Sequence, residues 1–462
     1  MTTTFDFYFS FRSPYSYLAT PQLETLRAKY DIEINLKVVR PIAVRIPGFF
    51  KQVNPLSGTQ VWTVPGRADR PLPTLAGSDR PIDHGLDGRF CAFCEQRYLD
   101  TTPEKARLIR EGHGWHTLTG LTAEELFDTV AQFRLIANLF EIVSVDYWRL
   151  NHGLEFSELA VARWAHYVST PGGRAHLDHL LTLRSQSNDP RYAAGSPQRR
   201  RLTELGFFGG FHDVVVARRH HVDGAEREDQ LAGSGTLTPG EHREYIDFTV
   251  GAIEWMFEMN PLIRNVAAFQ NWLRPAGASF DHLHKQVVGI DALGQRREEE
   301  IARLASDPDL FRHAILEPVA EHRLQVAETE SALAFIGIGH LFPSIEVWAK
   351  RMDATPWELT PEELDGWSDL LHAVHVATGP AVPTNEEWHY RPPEVRGRIP
   401  LRAIVKWRIN TPAGFEGGTK IHINTIDPWT LRDRVRVGIE TGLAGGLVAD
   451  TVRLTGAVGG GP

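Results

Sequence analysis

The chain is short of cysteine: its 462 residues hold two, Cys91 and Cys94. A disulfide framework is thereby excluded, and thiols spaced Cys-x-x-Cys either hold a metal or exchange electrons, depending on where further ligands lie. Positive charge is also lacking, since 49 Lys and Arg stand against 58 Asp and Glu for a net charge of −9. That balance argues against a surface that grips nucleic acid or acidic lipid, while leaving room for a local basic pocket that holds phosphate. No run of about 18 apolar residues occurs, and the opening MTTTFDFYFSFRSPYSY has no basic stretch before an apolar one. A cytoplasmic protein with no membrane and no nucleic-acid partner is expected. No low-complexity tract interrupts the chain, and 42% hydrophobic, 23% charged and 10% aromatic residues are a globular composition. The length suggests several units of about 100–200 residues each.

Residues 5–11 alternate as a strand would, Pro21 to Tyr30 reads as a short helix, and Ile32 to Val39 reads as a second strand; together they predict a β-α-β unit. A Pro/Gly/Arg/Asp-rich loop, Thr63 to Gly88, leads to the cysteines. Beyond it the pattern is α+β: a strand at Phe211 to Ala217, a helix at Pro239 to Met259, a strand at Phe280 to Ile290 and a charged helix at Gln295 to Ala305. Leu237-Thr-Pro-Gly-Glu-His242 and Leu359-Thr-Pro-Glu-Glu-Leu364 each open a helix, with Thr as N-cap before Pro. Each is followed by Pro-Ala-Gly, at 275–277 and 412–414, and then by a strand carrying histidine. A duplicated unit is inferred.

Pro275-Ala-Gly-Ala-Ser-Phe-Asp-His-Leu-His-Lys-Gln286 sets His282, His284 and Gln286 at alternate positions, which on a strand share one face. A metal held by His282 would stiffen the backbone that aims His284. The segment resembles the Gly-x-Ser-x-x-His-x-His-x-Gln stretch of the galactose-1-phosphate uridylyltransferase branch of the histidine-triad (HIT) proteins. The resemblance covers about residues 85–430. It implies that His282 binds zinc, that His284 attacks the nucleotide α-phosphorus, and that Gln286 orients the phosphoryl group. It also implies a zinc set completed by Cys91, Cys94 and a histidine ending the strand-like stretch His212 to His221; aligning the strands selects His221, with His220 its competitor. Two sulfurs and two nitrogens make a closed structural site, so zinc is the expected cofactor and not the catalyst. The alternative, a bare redox pair, lacks a thioredoxin-like strand ahead of the cysteines.

Neutral imidazole attacks phosphorus at pH 7 when its other nitrogen donates a hydrogen bond that fixes the tautomer. The resemblance further implies that Asn138, Asn271, Gly277 and Ser279 line the nucleotide pocket, although an isolated Asn more often serves a turn. Aligned with one residue of slack, Lys420-Ile-His-Ile-Asn424 stands in the second unit where His282 to Gln286 stands in the first. Its paired histidines are missing, so no iron or galactose phosphate is inferred there. Lys406, Arg408 and Lys420 either meet an acceptor phosphate or are solvated strand charges.

Phe7-Tyr-Phe-Ser-Phe-Arg-Ser-Pro-Tyr-Ser-Tyr-Leu-Ala19 resembles the start of kappa-class glutathione transferases and 2-hydroxychromene-2-carboxylate isomerases, which would make Ser13 a thiol-activating serine. That resemblance stops near residue 50, and the later thioredoxin-like strands are not found. The expected organisation is therefore a β-α-β thioredoxin-like fragment (1–52), a first HIT-like unit with zinc and catalytic histidine (53–310), and a degenerate second unit with a flexible tail (311–462), built from antiparallel sheets and flanking helices. The expected activity is nucleotidyl transfer (EC 2.7.7 type) between a nucleotide sugar or nucleoside polyphosphate and a phosphorylated acceptor; a homodimer is compatible with it. The rivals are a dinucleoside-polyphosphate hydrolase or phosphorylase, an inactive zinc-organised binding module and, last, a glutathione-dependent isomerase or transferase through Ser13.

Overall fold

The alternating stretches near the start of the chain form β1 (Thr3–Phe9) and β2 (Ile32–Val38), paired in parallel from Thr3↔Ile32 to Phe9↔Val38. Backbone at Leu23, Thr25–Arg27 and Lys29 is helical, as a parallel crossover requires. The structure is a computed structural model that describes residues 3–9, 23, 25–27, 29–30, 32–38, 43–46, 49–64, 80–112, 114–186 and 196–455. Ser13 lies outside the described residues. Among those described, β1 and β2 form a sheet of their own, and no thioredoxin-like sheet is built on them. A separate sheet follows, from β3 (Ala43–Ile46), β4 (Phe49–Val53) and β5 (Gln60–Thr63), to which the distant strand Ile421–Asn424 adds in parallel on β5.

These sheets belong to one of two compact units, Met1–Arg70 with Ile338–Leu341 and Pro412–Asp427. Asn54 ties its pieces together: its Oδ1 accepts from the N–H groups of Leu56 and Ser57 at 3.1 and 2.9 Å, and its Nδ2 donates to Ile338 O at 2.8 Å. Gly339 passes so close that a Cβ would sit 2.2 Å from the Asn54 nitrogen, and its φ of 69° is left-handed, so glycine is required there.

The other unit holds Pro71–Gly337, Phe342–Thr411 and Pro428–Pro462. Its strands are β6 (Glu104–Glu111), β7 (Gly114–Leu118), β8 (Ala131–Ala137), β9 (His212–Ala217), β10 (Asn265–Trp272), β11 (His284–Ile290), β12 (Gln325–Glu328), β13 (Ala332–Ile336), β14 (Ser344–Ala349), β15 (Thr384–His389) and β16 (Arg402–Trp407). With Ile421–Asn424 counted as β17, β18 (Arg453–Leu454) completes them. They make one antiparallel sheet of twelve strands in the order β18-β12-β13-β14-β16-β15-β10-β11-β9-β8-β6-β7. On either side of the β15/β10 junction the same series appears, 6-8-9-11-10 and 12-13-14-16-15, with a long helix between its third and fourth members in chain order.

Those helices are Pro239–Met259 and Pro361–Thr378. Thr238 and Thr360 cap them in reciprocal boxes with Glu241 and Glu363, as the Thr-Pro signals predict. They cover one face of the sheet, where Tyr245, Ile253, Trp367 and Leu371 are fully buried. Burying each such side chain stabilises by about 1.5–3 kcal/mol. The covered face also holds a polar knot. Lys285 on β11 pairs with Glu386 on β15 and donates to Gln270 Oε1 at 3.1 Å, while Glu386 also accepts from His375 at 2.6 Å and Trp388 at 2.5 Å. The opposite face carries His212, His284 and Gln286, because register places Gln286 across from Val214 and Phe269, and Val288 across from His212.

One alignment drawn from sequence is corrected by this topology. The strand that takes the place of β11 in the second series is β16, whereas Ile421–Asn424 belongs to the other unit's sheet. Short motif matches placed Lys420–Asn424 opposite His282–Gln286; long-range pairing, which they do not encode, places Arg402–Trp407 there. Among the described residues no helix is long and apolar enough to cross a membrane.

Candidate functional site

Cys91 and Cys94 flank a tight turn closed by the Cys94 N–H on Cys91 O at 3.1 Å. Their sulfurs are 3.8 Å apart. Cys91 Sγ lies 3.4 Å from His282 Nδ1, and Cys94 Sγ lies 3.6 Å from His220 Nδ1 and 3.9 Å from His282 Nδ1. A tetrahedral zinc with sulfur at about 2.3 Å and nitrogen at about 2.0–2.1 Å sets its ligand atoms about 3.8 Å apart for S···S and about 3.6 Å for S···N. The four side chains therefore fit a metal ion. His282 is already turned for it: its Nε2–H donates to Ala217 O at 2.6 Å, which leaves the Nδ1 lone pair facing the sulfurs.

The side chain that completes this cluster is His220, not His221 as strand alignment selects. The strand ends at Ala217, so the two-residue alternation no longer applies at Arg218 to His221. His221 instead bridges Leu231 through its backbone and stands edge-on to Phe90, with ring centroids 4.6 Å apart.

Immediately beyond the cluster, β11 starts at His284, whose ring is buried at 5% exposure. Its Nδ1–H donates to His282 O at 2.7 Å, so Nε2 keeps a lone pair. Burial, more than any neighbour, lowers its pKa to about 4, and the imidazole is neutral at pH 7. The ring borders a cavity of about 460 Å³ that is also lined by Asn138, Ser279 and Gln286, with Phe93 and Phe280 forming an aromatic wall. A neutral imidazole thus meets amide and hydroxyl groups in a half-enclosed, partly apolar pocket.

His212, which sequence reading leaves out of the site, also lines this cavity. Its Nδ1 accepts from the Ile142 N–H at 2.9 Å and its Nε2 lies 3.0 Å from Gln286 Oε1. The residue opens the β9 strand, but its meeting with Gln286 depends on the β9/β11 register, for which the sequence carries no local signal.

The remaining site residues expected from sequence lie apart from His284. Asn271, on β10, lines a second cavity of about 650 Å³ with Asn385 and Arg408. There Asn385 donates to Asn271 Oδ1 at 2.7 Å, and Arg408 donates to Asn385 Oδ1 at 2.6 Å. Gly277 closes the preceding turn in the left-handed region at φ 90°. Lys406 pairs with Glu387 at 2.5 Å. Lys420, at the C-cap of the Gly414–Thr419 helix, belongs to the other unit.

This architecture has solved counterparts. An ADP-glucose phosphorylase from Arabidopsis thaliana, solved with bound ADP-glucose, is similar at 17% identity and a TM-score of 0.53, over 84% of this chain and 98% of that one. A galt-like protein from the same plant is similar at 16% identity and a TM-score of 0.51, over the same shares, 84% and 98%. At such identities the likeness is one of fold. No curated protein matches the sequence. Residues 46–459 match the family model described as a domain of unknown function, DUF4921. That match takes in both cysteines, His220, His282, His284 and the whole twelve-stranded sheet, and the chain belongs to the DUF4921 family.

Proposed function

We propose that the protein is a nucleotidylyltransferase in which His284 carries a nucleoside monophosphate between phosphorylated substrates. The observation that carries this reading is the His284 Nδ1–H bond to His282 O at 2.7 Å, which presents the other ring nitrogen as a fixed nucleophile at the cavity. The Nε2 lone pair forms a bond to the α-phosphorus of a nucleotide sugar or nucleoside polyphosphate. The P–O bond to the leaving phosphate breaks, and its electron pair departs with that oxygen. A second phosphorylated molecule then takes the nucleotide by the reverse displacement, which predicts ping-pong kinetics.

Gln286 and Asn138 supply amide hydrogen bonds for the phosphoryl oxygens, and Ser279 a hydroxyl; Asn271 and Gly277 are offered to more distant parts of the nucleotide. Cys91, Cys94, His220 and His282 would hold a structural zinc, whose contribution is to stiffen the backbone that precedes His284. Lys406 and Arg408 are the candidates for the acceptor's phosphate. We read the two strand series as duplicated HIT-like units, within the division 1–52, 53–310 and 311–462, and give the glutathione chemistry of Ser13 no part in the reaction.

The test is intact mass after incubation with a panel of nucleotide sugars and nucleoside triphosphates. One added nucleoside monophosphate is expected on the wild type and none on His284→Asn. No adduct from any donor, or an adduct that survives in His284→Asn, would overturn the reading. Discharge of the adduct by a sugar phosphate, by inorganic phosphate or by water separates transferase, phosphorylase and hydrolase.

A further inference from the structure

We infer that His212 is a positioning residue for Gln286: with Asn138 it turns the Gln286 amide so that the NH2, not the carbonyl, faces the His284 cavity. The inference deepens the function proposed above and rests on it for the identity of the group received. It makes this corner of the cavity a receptor for an oxygen that accepts hydrogen bonds, as phosphoryl oxygens do.

Two backbone N–H groups, which can only donate, fix the orientation of these side chains. Ile142 N–H reaches His212 Nδ1 at 2.9 Å, so Nδ1 holds a lone pair and the neutral ring carries its proton on Nε2. That Nε2–H lies 3.0 Å from Gln286 Oε1 and donates to it. Independently, Phe140 N–H reaches Asn138 Oδ1 at 2.8 Å, so the other end of that amide is its NH2, 3.3 Å from the same Gln286 oxygen. Asn138 Nδ2 and His212 Nε2 approach to 3.1 Å because both aim at that oxygen. With the amide flipped, Gln286 would set its own NH2 against two donors. With Oε1 engaged, the NH2 is the group left to face a ligand.

The ring has little freedom to give this up. His212 is 1% exposed and sits at the start of β9, across from Val288 on the strand that carries Gln286. Burial holds its pKa down to about 4, which keeps it in the single-proton form at neutral pH.

Two measurements test the inference on the full-length protein. In protein labelled with 15N-histidine, His212 is expected as the Nε2–H tautomer with Nδ1 unprotonated; an Nδ1–H tautomer or an imidazolium at pH 7.5 would overturn the proposal whether or not any nucleotide transfer occurs. The second is a double-substitution cycle on the rate of His284 labelling. His212→Phe is expected to lower the maximal rate about 10–100-fold with little change in half-saturating donor, and His212→Gln, which keeps an N–H near the Nε2 position, to recover much of it. In a Gln286→Ala background His212→Phe should cost less than about twofold, since the group it aims is gone. Equal losses in both backgrounds, with unchanged melting of the variants, would overturn the positioning role while leaving the nucleotidyl-His284 reading intact. A wild type that never labels would sink that reading, and the tautomer alone would then decide this one.

Discussion

The two halves of the twelve-stranded sheet repeat one strand order yet carry different chemistry on the same face. In the first half β11 presents His284 and Gln286 beside His212 and Asn138, all groups without net charge at neutral pH. In the second half β16 occupies the corresponding place and presents Arg402 and Lys406, with Glu387 on the neighbouring β15. These charges are neutralised locally: Arg402 pairs with Glu300 and Lys406 with Glu387, each at 2.5 Å. Burial would raise the Glu387 carboxyl, but the His389 hydrogen bond and the Lys406 charge hold it below the usual carboxylate range. The contrast separates topology from reactivity. A strand series positions side chains, while the buried His284 imidazole keeps its Nε2 lone pair among neutral neighbours. The second half holds its charges in ion pairs.

His284→Asn should abolish covalent labelling, a loss of about 10³-fold or more; Lys406→Met should leave charging measurable and slow only discharge to a phosphorylated acceptor. Rapid-quench separation of the two half-reactions checks this, and equal loss of charging in both variants would remove the division of labour. Next in size is the metal cluster. Cys91→Ala should lose bound zinc by elemental analysis and lower the unfolding temperature, whereas Cys91 in the wild type should be protected from alkylation until a chelator is added. A structural zinc contributes about 10–16 kcal/mol of apparent binding energy in small domains, so an unchanged melting curve would contradict a structural role.

How much of this was legible beforehand follows from the range of each signal. The Thr-Pro helix starts, the strand at Phe211 to Ala217 and the alternate spacing of His284 and Gln286 are local patterns, and the structure agrees with them. The extent of the second histidine's strand was less so: β11 begins at His284, and Phe280 to Leu283 turn to bring His282 onto the sulfurs. His220 could not be separated from His221 by alternation, because the ladder stops three residues earlier at Ala217. His212 and the β16 counterpart of β11 were hidden for one reason: both depend on which strands pair across more than 50 residues of intervening chain. Asn271 shares a face with Gln286 but lines a different cavity, a distinction that depends on side-chain depth and not on spacing.

On the covered face the halves are joined instead of contrasted. Lys285 belongs to the first and Glu386 to the second, both fully buried, with Gln270 of β10 between them. Replacing one partner leaves the other charge without its counter-ion, and Lys285→Met should cost about 3–5 kcal/mol in denaturant unfolding. Lys285→Met combined with Glu386→Leu should recover a good part of that loss. A double-variant cost equal to the sum of the two single costs would show that the two halves are not coupled through this pair.

The smallest expected effect sharpens the comparison through pH. His212 opens β9, and Ser344, which does not titrate, opens its counterpart β14. Burial holds the folded His212 at about 4 against its ordinary 6.5. Below pH 6.5 the unfolded chain therefore takes up a proton that the folded ring refuses. The stability contributed is complete above 6.5 and is lost as pH falls toward 4. Each pH unit in that window is worth about 1.4 kcal/mol, or about 3 kcal/mol across it. His176 and His372 are likewise lowered to about 4 by burial, so acid weakening of the protein has several sources. The slope isolates one of them: His212→Phe should unfold with a pH dependence shallower by about 1.4 kcal/mol per unit between 6 and 4.5, whatever its absolute stability. Ser344→Ala should keep the wild-type slope. Identical slopes for His212→Phe and wild type would mean that His212 is protonated inside the folded protein, and the neutral character assigned to the first half's site face would fall with it.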